Sequence, residues 1–280
     1  MGWLFSRDIL LKGLTITTLA RRAHLGSDMK VVSINVNGLI NAAERGFLHW
    51  LEHADVDVVC VQDIRIKEKD IPHMLYEVPG YHAFFFDADD PDQGGVAIYS
   101  RDMPKAIIRG LGVPQVDMEG RFLQADFDRF SVCSVLFPRA NDEEEQETKF
   151  AFMEIFQNHL KKTRRKRREF IFAGTFHIAH RTIDLGNWQD YQRTSGFLPE
   201  ERAWMDQVLG PMGYIDAFRL VNRGERQHTW WPYDEAQRNG LRLDYQILSP
   251  TLAEYVVDAH IITEPRVSPH CMVEVDYDLD

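Results

Sequence analysis

Residues Val56 to Val61 form a nearly unbroken apolar run. Such a run suits a strand covered on both faces, because a strand with one wet face alternates polar and apolar side chains. A sheet holding it needs packing partners on both sides. The rest of the chain supplies candidates. Lys30–Asn35, Tyr81–Phe86, Val96–Ser100, Phe122–Phe127, Val132–Phe137, Phe170–Ala173, Asp244–Ser249, Tyr255–Ile262 and Cys271–Tyr277 also read as strands. Turn signals stand at Asp89-Asp90-Pro91 and Gly94-Gly95. Helices are expected at Ala42–His53, at Asn141–Lys162 and at Glu200–Val208, the last opened by Pro199. The second begins with acids and ends with bases, as the helix dipole favours. Strands dominate and helices are interspersed. Two sheets packed together with helices outside is the expected architecture.

Apolar residues make up 44% of the 280 residues, enough for a sizeable core. The formal net charge of -11 repels polyanions, so any nucleic-acid contact needs a local basic patch or a partner protein. Cys60, Cys133 and Cys271 lie far apart with no CxxC pattern. They read as small core residues of a protein in the reducing cytoplasm, not as a disulfide set or metal site. No run approaches a membrane span. Residues 1–28 place an apolar stretch before Arg21 and Arg22, a poor signal peptide. Met1-Gly2-Trp3-Leu4-Phe5-Ser6 matches the loose myristoylation pattern, but the expected reading of 1–28 is a poorly ordered or short helical extension. Residues 29–280 are expected to form a single domain.

Specific motifs then narrow the class. Ser33-Ile34-Asn35-Val36-Asn37-Gly38-Leu39, followed by Val59-Cys60-Val61-Gln62-Asp63, resembles the opening of the endonuclease/exonuclease/phosphatase superfamily. Phe197-Leu198-Pro199-Glu200-Glu201-Arg202-Ala203-Trp204-Met205-Asp206, Asp216-Ala217-Phe218-Arg219 and Gly240-Leu241-Arg242-Leu243-Asp244 are similar to exonuclease III. The resemblance runs in order from Met29 to about Asp276 and implies a four-layer α/β sandwich, two packed mixed sheets flanked by helices. It also implies hydrolysis of phosphodiesters with a divalent cation, an aspartate base, phosphate-gripping Asn and His donors, and a His held by a carboxylate.

On that pattern Asn35 is retained and Asp63 stands for a metal-binding Glu, drawing its oxygen back by roughly one covalent bond of 1.5 Å. Leu136 replaces a tyrosine, Thr175 replaces the base and His177 replaces a neutral donor. Asp244 is expected on the metal side. Pro269 in Ser268-Pro269-His270 is expected to deprive His270 of its orienting carboxylate. Taken together these changes predict a vestigial pocket with no catalysis, no bound metal and no cofactor. Within the superfamily, Ala42-Ala43-Glu44-Arg45-Gly46, Asp92-Gln93-Gly94-Gly95-Val96-Ala97, Leu123-Gln124-Ala125-Asp126-Phe127-Asp128, Arg164-Arg165-Lys166-Arg167-Arg168-Glu169 and Trp230-Trp231-Pro232 resemble the catabolite repression control (Crc) branch.

That branch implies a non-enzymatic corepressor of translation, acting with Hfq on A-rich sites of catabolic mRNAs and self-associating in the complex. Lys161, Lys162, Arg164, Arg165, Lys166, Arg167 and Arg168 place seven cations in eight residues and become the expected RNA or partner surface. Trp230 and Trp231 are candidates for base stacking, or alternatively anchors of a long loop. Two other readings stand beside the corepressor: a weak or reconfigured metal-dependent nuclease or phosphatase, and a sensor using the old pocket for a small ligand.

Overall fold

A computed structural model describes residues 27–231 and 240–279. The expectations for the segment before residue 27 lie outside the described residues. Among the described residues, twelve strands form two six-stranded sheets. The first sheet uses β1 (Ser27–Asn35), β2 (Val58–Gln62), β3 (His82–Phe86), β4 (Val96–Ser100), β11 (Val256–Ile262) and β12 (Met272–Leu279). The second uses β5 (Ala106–Arg109), β6 (Phe122–Asp126), β7 (Phe130–Leu136), β8 (Glu169–Thr175), β9 (Ile215–Asp216) and β10 (Asp244–Leu248). Their orders are β11-β12-β1-β2-β4-β3 and β5-β6-β7-β8-β10-β9. Only β1–β2 and β7–β8 run parallel, so both sheets are mixed, as the family resemblance implies.

The helices are α1 (Leu39–Glu44), α2 (Phe47–His53), α3 (His73–Tyr76), α4 (Pro114–Asp117), α5 (Glu143–Thr163), α6 (Pro199–Leu209) and α7 (Ala217–Val221). The predicted helix over Ala42–His53 is in fact two. Gly46 takes φ 99°, a left-handed conformation open to glycine, and breaks the rod between α1 and α2. Helix α5 follows its prediction closely. Asp142 accepts a hydrogen bond from the Glu145 amide at 2.9 Å and caps it.

Every residue of β2 is buried. One face meets Leu123, Val132, Ile171 and Leu248 of the second sheet across the central core. The other meets Phe47 and Leu51 of α2. On the outer face of the second sheet, Phe152, Met153, Phe156 and Leu160 of α5 pack with Trp204, Met205 and Val208 of α6. Polar ties cross between the sheets. Gln62 donates to the Ser134 hydroxyl at 3.0 Å, and Gln246 donates to the Val31 carbonyl at 2.8 Å. The parallel pair β7–β8 is tight: a Cβ at Gly174 would lie 1.9 Å from the Val135 carbonyl oxygen, so this position admits only glycine. Cys60, Cys133 and Cys271 are free and buried. No helix among the described residues is long and apolar enough to cross a membrane.

Candidate active site

The strands converge at one end of the sandwich. β1 ends at Asn35, β2 at Gln62 just before Asp63, and β8 at Thr175; β10 begins at Asp244 and β12 follows His270. Thr175 and Asp244 are register partners of the antiparallel β8–β10 pair. The Thr175 hydroxyl donates to Asp244 Oδ1 at 2.5 Å, and the Thr229 hydroxyl donates to Oδ2 at 2.5 Å. His270 Nδ1 lies 2.9 Å from Oδ2 and 3.1 Å from Oδ1. A carboxylate only accepts, so Nδ1 carries the proton and Nε2 of the neutral ring carries the lone pair.

This geometry corrects two expectations. His270 has not lost its carboxylate: Asp244, from the opposite sheet, orients it, and Pro269 removes something else. Asp244 in turn is engaged by three donors and is not a free metal-side oxygen. Ser268 completes the local frame. Its hydroxyl donates to the Asn35 carbonyl at 2.5 Å and accepts from the His270 amide at 3.0 Å, tying β1 to the His270 turn.

Asn35 is fully buried, and its Oδ1 accepts from the Asn37 amide at 3.1 Å. Asn35 Nδ2 and His270 Nε2 are buried with no hydrogen-bond partner. Unpaired buried polar atoms are costly, and two of them in one residue group mark a place shaped for something other than the fold. His177 sits 6.2 Å from His270, ring centroid to ring centroid, at a left-handed φ of 51°. Burial, reinforced by the positive charge of Arg139, holds its imidazole well below the usual range, so it is neutral at pH 7.

The His177 backbone is held from outside the group. Lys149 Nζ donates to its carbonyl at 2.8 Å and to Glu201 Oε1 at 2.5 Å, and both side chains are buried. Glu201 Oε2 accepts from the Gly196 and Leu198 amides, which fixes the entry to α6. Trp230 bridges Leu241 and His270 through its backbone, and its ring centroid lies 6.3 Å from that of His270. Trp231 instead packs beside His228 and under Arg266. Leu136 is buried in the intersheet core.

A divalent cation of the kind the superfamily uses needs free carboxylate oxygens. Asp63, at φ 59°, has both oxygens taken by Arg65, through Nε at 3.0 Å and Nη2 at 2.8 Å. Asp244 is saturated as described, and Pro269 offers no side-chain oxygen. These residues do not fit such a cation, and the chemistry considered below is that of the protein groups alone.

The expected basic surface lies elsewhere. Lys161, Lys162, Arg164, Arg165, Lys166 and Arg167 are exposed at the end of α5 and in the turn before β8, whereas Thr175 closes β8 at its other end. At 3.3 Å per residue, the seven residues of β8 separate the two by roughly 20 Å. Arg168 is partly structural: its Nη1 donates to the Phe127 and Phe130 carbonyls at 2.8 and 2.6 Å.

Sequence reasoning finds Asn35, Thr175, His177, Asp244 and His270, which the fold brings together. It misses Arg65, Lys149, Glu201, Thr229 and Ser268. Arg65 could have been read from its place two residues after Asp63. Lys149 and Thr229 act across long sequence separations and leave no local signal, whereas Ser268 stands two residues before His270 and Glu201 three after Leu198.

Two mixed six-stranded sheets packed face to face, with an Asn and a His–Asp pair at the strand ends, define a four-layer α/β sandwich of the exonuclease III type. The chain belongs to the endonuclease/exonuclease/phosphatase family, whose model matches residues 32–270. It is 30% identical to an exodeoxyribonuclease of Bacillus subtilis over 88% of this chain and 98% of that protein. It is 32% identical to exodeoxyribonuclease III of Haemophilus influenzae over 85% and 94%. The fold matches an AP endonuclease from Archaeoglobus fulgidus with a TM-score of 0.82 at 24% identity, covering 90% of this chain and 100% of that one. These findings overturn the expectation of a non-enzymatic translational corepressor working with Hfq. The relatives are nucleases by name, and none of these matches points to translational control.

Proposed function

We propose that this chain is a phosphoester hydrolase of the exonuclease III type with a rebuilt and attenuated site, acting on the sugar–phosphate backbone of DNA. The unpartnered His270 Nε2 is the observation that most supports it. Asp244 fixes the tautomer and orientation of the ring, as the aspartate of a hydrolytic triad does, so Nε2 can take a proton from an attacking water. That assigns to the dyad the task that Thr175 cannot perform, because a neutral hydroxyl has no useful basicity. Asn35 Nδ2 and the neutral His177 are the donors for a phosphoryl oxygen. The DNA substrate rests on the names of the relatives, an exodeoxyribonuclease and a DNA-(apurinic or apyrimidinic site) endonuclease among them. A cytoplasmic location belongs to the same proposal and is supported by the three free, buried cysteines.

The test incubates the full chain with oligonucleotides carrying an abasic site or a 3′-phosphate, in magnesium, in manganese and in EDTA. The expected result is slow product formation that falls about 10²–10⁴-fold in His270→Ala. Product yields equal to buffer for both wild type and His270→Ala would overturn the proposal.

A further inference from the structure

Helix α2 presents a second cluster of ligand-bearing side chains. His49, Glu52 and His53 are all exposed, and one ligand atom from each lies within 4.8 Å of the others. The helical period puts positions i, i+3 and i+4 on one face. The opposite face, through Phe47 and Leu51, is buried against the first sheet, so the cluster stands on an anchored element. The two imidazole centroids are 4.4 Å apart.

One hydrogen bond settles the chemistry of His53. Its Nδ1 lies 2.8 Å from the His49 carbonyl oxygen. A carbonyl can only accept, so Nδ1 holds a proton, and in the neutral ring the lone pair is on Nε2. That is the arrangement of a metal-ligating histidine, whose second ring N–H is characteristically given to a backbone carbonyl or carboxylate. Tetrahedral ligands at about 2.0–2.1 Å from zinc stand roughly 3.4 Å apart, a spacing that exposed side chains starting within 4.8 Å reach by small rotamer changes. Imidazole selects borderline transition metals over magnesium or calcium.

We propose that His49, Glu52 and His53 form a surface site for a divalent transition-metal ion of the zinc class, separate from the His270 group. α2 lies before β2, whose five residues separate its start from Asp63 by roughly 17 Å. Three protein ligands leave a fourth position to water.

Calorimetric titration of the full chain with Zn²⁺, in a non-chelating buffer at pH 7.5, tests this. Wild type is expected to bind one equivalent at this site. His53→Ala and His49→Ala should each weaken it by about tenfold or more, at least the cost of losing an outer partner of a ligand. Because His177 and His270 could bind zinc on their own, the titration is repeated on His177→Ala/His270→Ala, which should retain the equivalent. The melting temperature with and without zinc gives an independent readout, with the rise absent from His49→Ala/His53→Ala. No heat and no melting shift in wild type at 0.1 mM zinc, taken as roughly the ceiling of useful affinity, overturns the proposal. So does binding unchanged in His49→Ala/His53→Ala.

Discussion

Thr175 and Asp244 face each other across the β8–β10 pair, with the hydroxyl 2.5 Å from the carboxylate. A buried carboxylate is tolerated only while donors surround it, and Thr175, Thr229 and His270 provide them. Thr175→Val keeps the shape and removes one donor. It should destabilise the fold by about 1–3 kcal/mol, seen as a lower urea midpoint with an unchanged slope.

His270 and Asn35 are screened from solvent, and the Trp230 ring stands next to His270. If the competent, opened form is roughly a tenth of the population, Trp230→Ala should raise kcat/KM on a 3′-phosphate oligonucleotide by about tenfold. A fall in the rate would show instead that the indole positions His270.

The Lys149–Glu201 pair is fully buried and joins α5 to α6. Lys149→Met leaves Glu201 with an uncompensated charge, and a loss of about 3–5 kcal/mol is expected. Lys149→Met/Glu201→Gln should recover most of it, because Gln still accepts from the Gly196 and Leu198 amides. Urea unfolding of both singles and the double gives the coupling energy.

His159 packs edge-on to Phe122 with centroids 5.0 Å apart, and burial, with the nearby Lys166 and Lys162 charges, lowers its pKa to about 4. Its folded value lies below the unfolded one of about 6.5. The associated stability is therefore fully present above pH 6.5 and is lost as the pH falls toward 4, by up to roughly 3 kcal/mol. His177 acts in the same direction. Thermal melts from pH 7.5 to 4.5 should show a shallower decline for His159→Leu than for wild type.

Much of this architecture is legible in the chain because its core strands are covered on both faces. The prediction for Val96–Ser100 matches β4 residue for residue, and every residue of it is buried. β5 was not predicted: it is a four-residue, mostly exposed edge strand, too short for a periodic signal, and its pairing with β6 defines it. β9 is two residues long and α7 five, too short for a periodic signal. In the site, residue types are readable and partnerships are not. Pro269 beside His270 looks like the loss of a carboxylate. The partner is Asp244, 26 positions away and brought in by the packing of the two sheets.

β8 acts as a spacer between two poles of the molecule. An anion gathered by the arginines at its start feels almost nothing of events at Thr175, since the gap exceeds two screening lengths at cellular salt. Any duplex touching both poles along a straight path must span at least about six base pairs at 3.4 Å each. Duplexes shorter than that can engage one pole or the other, not both.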